Sequence, residues 1–363
     1  MKILLVTRGY FLNKPDKYFS PEYNGIKIHP KIAGGFGWFW EKALKELGHQ
    51  VESFIYYRNP TLDSRGEINL FIHSWKPSLP IINILPTYLM NRKLIKICLD
   101  YKPEFILIDA GELVYPETLA EIKQRTKAKI VNWLWDDPIM QGWKNVIKSL
   151  PIYDFIFVFD PEYIGRFKAL GVSSIDYLPC ACDPDIHRTY QLSEEERKKL
   201  GNDLCFVGAI TDKRIEILQK LTEFDLGIWA WNPAKLKNTA SLFNRYRGIA
   251  WGELMSKIFN AAKIVLNIHH PQTISGINLK TFEIAGSGAF QLVDDKKEVA
   301  RLFPEQEIVS YRNIDELKER ISYYLANPQE RQIKARKAQQ RAYQEHTYKH
   351  RLSALISRAE KLL

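Results

Sequence analysis

Leu266-Asn-Ile-His-His-Pro-Gln-Thr-Ile-Ser-Gly-Ile-Asn-Leu-Lys-Thr-Phe-Glu-Ile-Ala-Gly-Ser-Gly288 is the stretch on which the reading of the fold turns. An apolar strand, Ile264 to Ile268, leads into a polar loop; the loop opens a helix; a second apolar strand, Phe290 to Val293, follows at once. Strand, helix and strand in that order predict parallel pairing, because parallel strands need a long crossover that a helix supplies. The same alternation recurs on both sides. Upstream, Asp203-Leu-Cys-Phe-Val-Gly208 and Asp225 to Ala230 read as strands, and downstream Glu307 to Ser310 reads as another, with a helical pattern from Ile314 onward.

The N-terminal half repeats the scheme. Strands are expected at Ile3 to Thr7, His49 to Phe54, Phe105 to Ile108, Ile130 to Trp133 and Phe155 to Phe159. A helix from about Gly37 to Leu47 ends at Gly48, and another covers Glu117 to Arg125. Leu178-Pro-Cys-Ala-Cys-Asp-Pro184 and the charged run Ser193 to Lys199 interrupt the alternation as a linker would. The expected organisation is therefore a Rossmann-like domain over residues 1–178, a linker over 179–202, a second Rossmann-like domain over 203–345 and a C-terminal helix over 346–363 that crosses back to the first domain. At 363 residues the chain exceeds what one core serves, which favours the same division.

The excess of 52 Lys and Arg over 42 Asp and Glu, +10 in total, favours anionic partners such as phosphates, acidic glycans or an anionic lipid surface. No basic run interleaved with aromatics marks a nucleic-acid module, so nucleic acid is not an expected partner. Lys2 to Val6, followed by Thr7-Arg8-Gly9, is too short and too soon polar for a secretory signal, so the mature protein is expected to begin here. The apolar segment Leu79 to Met90 is broken by Pro80 and Pro86 and falls short of the roughly 20 residues of a spanning helix. It reads as a loop packed on the domain, with an acceptor channel or membrane contact as the competing role. Cys98, Cys180, Cys182 and Cys205 follow no framework or zinc spacing, which points to free thiols in a reducing compartment and no metal site. The expected location is the cytoplasm, with peripheral association at the inner face of the membrane as an extension.

Three groups of residues have the chemistry for a site. Gly34, Gly35 and Gly37 precede a helix, where backbone N–H groups can approach an anion, though a plain helix entry has the same composition. Asp136 and Asp137 follow a strand, at the carboxyl edge where open α/β sheets bind ligands. Either carboxylate can take or orient an acceptor proton; a turn or helix cap before Pro138 is the competing role. Gly276, Asn278, Lys280 and Thr281 open a helix whose amides and dipole suit a pyrophosphate, and Lys280 adds a point charge. Glu283, on the same face as Lys280, can accept both hydroxyls of a ribose; capping is the alternative. One of His269 and His270 borders the site while the other packs, since neighbours on a strand point to opposite faces. Asp294 and Asp295 read as caps of the next helix, and Trp229 and Trp231 as core or as a pocket wall.

These residues bring a family into view. Phe206-Val-Gly208 with Arg214, Tyr246-Arg-Gly248, Ala262 to His269, Gly276 to Glu283, Gly288-Ala-Phe-Gln291 and Glu345 to Arg351 make the C-terminal half resemble the CgeB-like glycosyltransferases of spore maturation, within the GT-B fold. The N-terminal half resembles them through the Gly-rich loop, Leu47 to Val51, Asn132-Trp133 with Asp136-Asp137-Pro138, and Tyr177-Leu-Pro179. The resemblance implies an α/β protein of GT-B type, two Rossmann-like doubly wound domains facing across a cleft. It implies a nucleotide-sugar donor as substrate, an acceptor that is a glycan, lipid or protein, and no divalent metal or other cofactor. Glu283 takes the place of the ribose-binding glutamate, Lys280 lies near the diphosphate, and Gly248 and Ile249 meet the nucleobase through their backbone. Gly208, Arg214 and His269 complete the donor residues, and Asp136 or Asp137 falls where a catalytic group often stands. Lys280 replaces the usual arginine, a point charge in place of a bidentate fork, and Ser275 stands where many retaining relatives carry a second glutamate. Competing readings are a sugar-nucleotide epimerase and a non-catalytic nucleotide- or glycan-binding protein of the same fold; a dehydrogenase is disfavoured by the lack of a compact Gly-x-Gly-x-x-Gly turn.

Overall fold

Apolar β-branched and aromatic runs, buried on both faces, give this chain parallel sheets that helices must cover. The computed structural model describes residues 1–8, 22–23, 26–27, 36–56, 61–62, 68–69, 84–230 and 233–362. They form two units, Met1–Pro179 with Tyr348–Leu363, and Cys180–Thr347.

The first unit is built on β1 (Lys2–Arg8), β2 (Gln50–Tyr56), β3 (Phe105–Asp109), β4 (Lys129–Leu134), β5 (Phe155–Val158) and β6 (Ile175–Tyr177), in the order β6-β5-β4-β3-β1-β2. All neighbours pair in parallel; Val6 of β1, for example, faces Phe54 of β2 and Ile108 of β3. Ile3, Leu4, Leu5 and Val6 are wholly buried, the hydrophobic gain that drives the sheet together. Covering helices are α1 (Phe36–Glu46), α2 (Ile84–Tyr101), α3 (Pro116–Arg125), α4 (Lys144–Ser149) and α5 (Tyr163–Lys168). The segment expected as a loop around Pro86 is helical from Ile84 on. Pro86 sits in the first turn of α2, where an N–H has no intrahelical acceptor to lose, so the ring costs nothing there.

The C-terminal helix Tyr348–Ala359 belongs to this unit. The Tyr348 ring stacks on Phe39 of α1 at 5.0 Å and on Trp135 at 6.0 Å, and Arg351 Nε donates to Pro179 O at 2.9 Å. Arg358 pairs with Asp176 in β6.

The second unit has β7 (Leu204–Val207), β8 (Leu226–Trp229), β9 (Tyr246–Gly248), β10 (Ile264–Asn267), β11 (Gln291–Asp294) and β12 (Val309–Tyr311), in the order β9-β8-β7-β10-β11-β12, all parallel. Its core packs Leu204, Phe206, Ile228, Leu266 and Leu292 from the strands against Leu317, Ile321 and Tyr324. The helices are α6 (Glu194–Leu200), α7 (Asp212–Gln219), α8 (Ala240–Phe243), α9 (Gly252–Ala261), α10 (Leu279–Gly286), α11 (Lys297–Leu302), α12 (Ile314–Ala326) and α13 (Pro328–Glu345). Ser193 caps α6 in a reciprocal capping box with Glu196, so the charged run read as linker is an ordered helix of the second unit.

In each sheet the chain lays strands to one side of a starting strand and then to the other. The reversal lies between β1 and β3 in the first unit and between β7 and β10 in the second. The carboxyl edge at such a reversal is the usual ligand position of open α/β sheets.

Candidate functional site

At the reversal in the second sheet, β7 ends in buried Gly208, and Thr211 caps α7 by accepting from Arg214 N–H. Arg214 is buried, and burial lowers its guanidinium to about 10. Its Nε and Nη2 both donate to Ile268 O, at 3.0 and 2.5 Å, and Nη1 donates to Ala209 O at 2.7 Å. One cation thus ties the loop after β7 to the end of β10. The Arg214 guanidinium also lies over the Phe206 ring at 5.4 Å, which makes Arg214 the brace of this crevice.

His269, at the end of β10, is wholly buried, while His270 beside it is half-buried. Asp294 Oδ1 accepts from the His269 backbone N–H at 2.6 Å and lies 2.7 Å from Nδ1, and Lys213 donates to Oδ2 at 2.9 Å. Asp294 therefore binds a neighbouring strand end and does not cap α11, whose N-cap is Lys296. Burial works against the Asp294 carboxylate, but His269 and Lys213 outweigh it and hold the group well below the usual range. Burial in turn pushes the His269 imidazole down, so it is neutral at neutral pH. Lys296 donates to Thr273 O and Ile274 O at 3.0 Å each and pins the loop that carries buried Gly276.

That loop ends in Asn278, the N-cap of α10. Asn278 Oδ1 accepts from Thr281 N–H and from Thr281 Oγ1, both at 3.0 Å. Asn278 Nδ2 donates to Asn267 Oδ1 at 2.8 Å, and Asn267 Nδ2 donates to Thr281 Oγ1 and Gln291 Oε1 at 2.9 Å each. This amide network locks the helix start to β10 and β11 and takes up the Thr281 amide, while helix geometry leaves the Leu279 and Lys280 amides without an intrahelical acceptor. Lys280 Nζ donates to Glu283 Oε2 at 2.5 Å. The Glu283 side chain is 7% exposed and that of Lys280 26%. Behind them His187 Nε2 lies 3.6 Å from Glu283 Oε1, while His187 Nδ1 accepts from Asp183 N–H at 2.9 Å. An accepting Nδ1 puts the imidazole proton on Nε2, aimed at the glutamate. His187 comes from the segment read as linker; only its contact with α10 reveals it. Gly248 and Ile249 are half-buried at the end of edge strand β9, where Gly248 O accepts from Ala230 N–H at 2.9 Å. Trp229 is core; Trp231 lies outside the described residues.

The crevice of the first sheet holds a charge cluster that sequence reading missed apart from Asp136. Ala110 and Gly111, with φ of 59° and 84°, turn the chain after β3. The left-handed conformation costs a non-glycine residue on the order of 1–3 kcal/mol, a strain that the surrounding contacts must hold. The turn returns Glu112 to Arg8 at the end of β1, with Glu112 Oε1 3.1 Å from Arg8 Nη1. Tyr56 Oη donates to Glu112 Oε2 at 2.7 Å and accepts from Gly111 N–H at 2.9 Å. Thr7 Oγ1 donates to Asp109 Oδ2 at 3.2 Å, and burial, with Glu112 adding to it against Arg8, pushes the Asp109 carboxyl up to about 6. Asp136 Oδ2 stands 4.0 Å from Arg8 Nη2, its side chain 30% exposed. Asp137 is buried: Oδ1 accepts from the N–H groups of Ile139 and Met140 at 2.9 and 3.4 Å, and Oδ2 from Arg166 at 2.9 Å. Gly37 lies in the first turn of α1, where a Cβ would come within 2.4 Å of Thr7 Cγ2; Gly34 and Gly35 lie outside the described residues. All four cysteines are free and buried. Among the described residues no group of three or more His, Cys, Asp or Glu is gathered as metal ligands, and no helix is long and apolar enough to cross a membrane.

Residues 212–357 match the glycosyl transferase-like family. Over 265 residues the chain is 23% identical to the spore protein CgeB of Bacillus subtilis, covering 64% of this chain and 75% of that protein. Among solved structures, α,α-trehalose 6-phosphate synthase from Burkholderia multivorans superposes with a TM-score of 0.65 at 13% identity, over 100% of this chain and 98% of that one. HepE from Anabaena, solved in complex with UDP-glucose, gives 0.61 at 12% identity with both chains fully covered.

Proposed function

We propose that this chain, a glycosyltransferase of GT-B fold similar to the CgeB-like group, moves a sugar from a nucleoside-diphosphate donor, uridine diphosphate in the first instance, to a glycan, lipid or protein acceptor without a divalent metal. The observation that carries the reading is the buried Glu283 carboxylate, held by Lys280 at the capped start of α10 beside the reversal of the second sheet. Without donor the two side chains satisfy each other. With donor bound, the diphosphate draws the ammonium away and the ribose hydroxyls take its place on the carboxylate, so each charge exchanges one partner for another. The first-turn amides of α10 stabilise the departing diphosphate as its negative charge grows, the task a metal performs elsewhere. Gly208, Arg214, His269, Gly276, Asn278 and Thr281 shape that crevice, and Gly248 with Ile249 offer backbone to the base further along the same carboxyl edge.

In the first unit the half-buried Asp136 takes the acceptor proton, while Asp137 shapes the turn that presents it. The acceptor oxygen bonds to the anomeric carbon as the bond from that carbon to the diphosphate oxygen breaks, and the electron pair leaves with the diphosphate. Work of this kind belongs in the cytoplasm, with contact to the inner face of the membrane when the acceptor is a lipid.

Thermal denaturation with UDP, UDP-glucose and the other nucleoside diphosphates tests the donor site. A ligand at 100 times its Kd stabilises the native state by about 2.7 kcal/mol. One base should raise Tm most, and Glu283→Ala should abolish most of that rise. Equal shifts in the two proteins remove Glu283 from the site.

A further inference from the structure

Arg8 ends β1 at the reversal of the first sheet, and the groups set around it come from several elements, with Tyr163 of α5 also acting on Asp136. Thr7 and Arg8 end β1, Tyr56 ends β2, Asp109 ends β3, Glu112 follows the Ala110-Gly111 turn, and Asp136 follows β4. Trp143, which precedes α4, lies under the guanidinium at 5.4 Å. Glu112 takes Nη1 at 3.1 Å and is itself held by Tyr56 at 2.7 Å, so the guanidinium cannot swing away. Its other terminal nitrogen, Nη2, is then left facing Asp136 at 4.0 Å. Exposure grades outward along this line, from 7% and 6% for the Arg8 and Glu112 side chains to 30% for Asp136. A cation buried directly behind a partly exposed carboxylate acts on it through low dielectric and is little screened by salt.

We propose that Arg8 is the positioning residue of the first unit: clamped by Glu112 and Tyr56 and resting on Trp143, it aims the Asp136 carboxylate. The function of that contact rests on Asp136 as the group that takes the acceptor proton. Glu112 sets the strength of the contact, because its charge offsets Arg8 from the far side. Removing Arg8 and removing the Glu112 charge must therefore move Asp136 in opposite directions, which a merely structural role for the pair would not produce.

The test uses the full chain with ¹³Cγ-labelled aspartate, titrated by NMR, with Asp136 assigned by the resonance lost in Asp136→Asn. Arg8→Gln should raise the Asp136 midpoint, and Arg8→Lys should return most of that shift. Glu112→Gln should lower it. Should Arg8→Gln fail to fold, the downward shift in Glu112→Gln and a smaller shift in Tyr56→Phe decide the matter. Midpoints that stay in place, or that move in the same direction for Arg8→Gln and Glu112→Gln, overturn the proposal. In UDP release from UDP-glucose, the acid limb of turnover should follow the NMR midpoints at unchanged KM. Undiminished release by Asp136→Asn would sink the catalytic reading of Asp136 and leave the NMR shifts standing.

Discussion

Replacing Asp109 by asparagine isolates what its buried position costs the first unit. Asp109 is 1% exposed, beneath the ends of β1 and β3, and its carboxyl titrates at about 6 instead of the ordinary 3.8. The folded value lies above the unfolded one, so between these pH values the native state keeps a proton that the unfolded chain has released. The stability this provides is fully present below about pH 4 and is lost as pH rises through about 6. A shift of about two units at 1.36 kcal/mol each makes the loss roughly 3 kcal/mol by pH 8. The amide side chain imitates the neutral acid at every pH and can still meet Thr7. Asp109→Asn should therefore match the wild type near pH 4 and exceed it by up to roughly 3 kcal/mol at pH 8. Amide hydrogen exchange of β1 and β3, measured from pH 4.5 to 8, confines the reading to this unit. A pH-independent difference, or a variant weaker than wild type at pH 8, refutes the account of Asp109 as a carboxyl held above its ordinary range by burial.

Two further outcomes follow from the same geometry. Gly111→Ala forces a Cβ at φ of 84° to within 3.0 Å of Ile108 Cγ2, so urea denaturation should show a loss of roughly 1–3 kcal/mol. Asn278→Ala removes the cap of α10 and a partner of Asn267, which should cost about 1 kcal/mol or more in urea and weaken the thermal shift given by UDP.

Local pattern carried much of the architecture. β1 and β3 were legible because each has four consecutive apolar residues, all buried, and β4 and β10 because a single buried Asn stands among their apolar ones; runs this short and rich in β-branched or aromatic residues read as strands. β6 and β9 were not, since each has three half-buried or exposed residues at the edge of its sheet and takes its strand character from its neighbour. α2 was hidden by its proline: Pro86 reads as a breaker unless the helix is known to begin two residues before it. The start of α10 was legible for a local reason, because Asn278, Lys280, Thr281 and Glu283 interact within one or two turns. His187 was invisible for the opposite reason: nothing in its own stretch tells that Asp183 will orient its ring toward a glutamate of α10.

What this sequence determined unaided is therefore what acts over a few residues: alternating strands and helices, hence parallel sheets, and the cap that opens α10. Only the tertiary structure decided which strand ends meet. Thr7 and Asp109 are 102 residues apart and Arg8 and Glu112 are 104 apart, yet both pairs form because β3 lies against β1. A chain of that length has no local preference for such a contact; the order of strands creates it, and burial then makes each charge depend on the others.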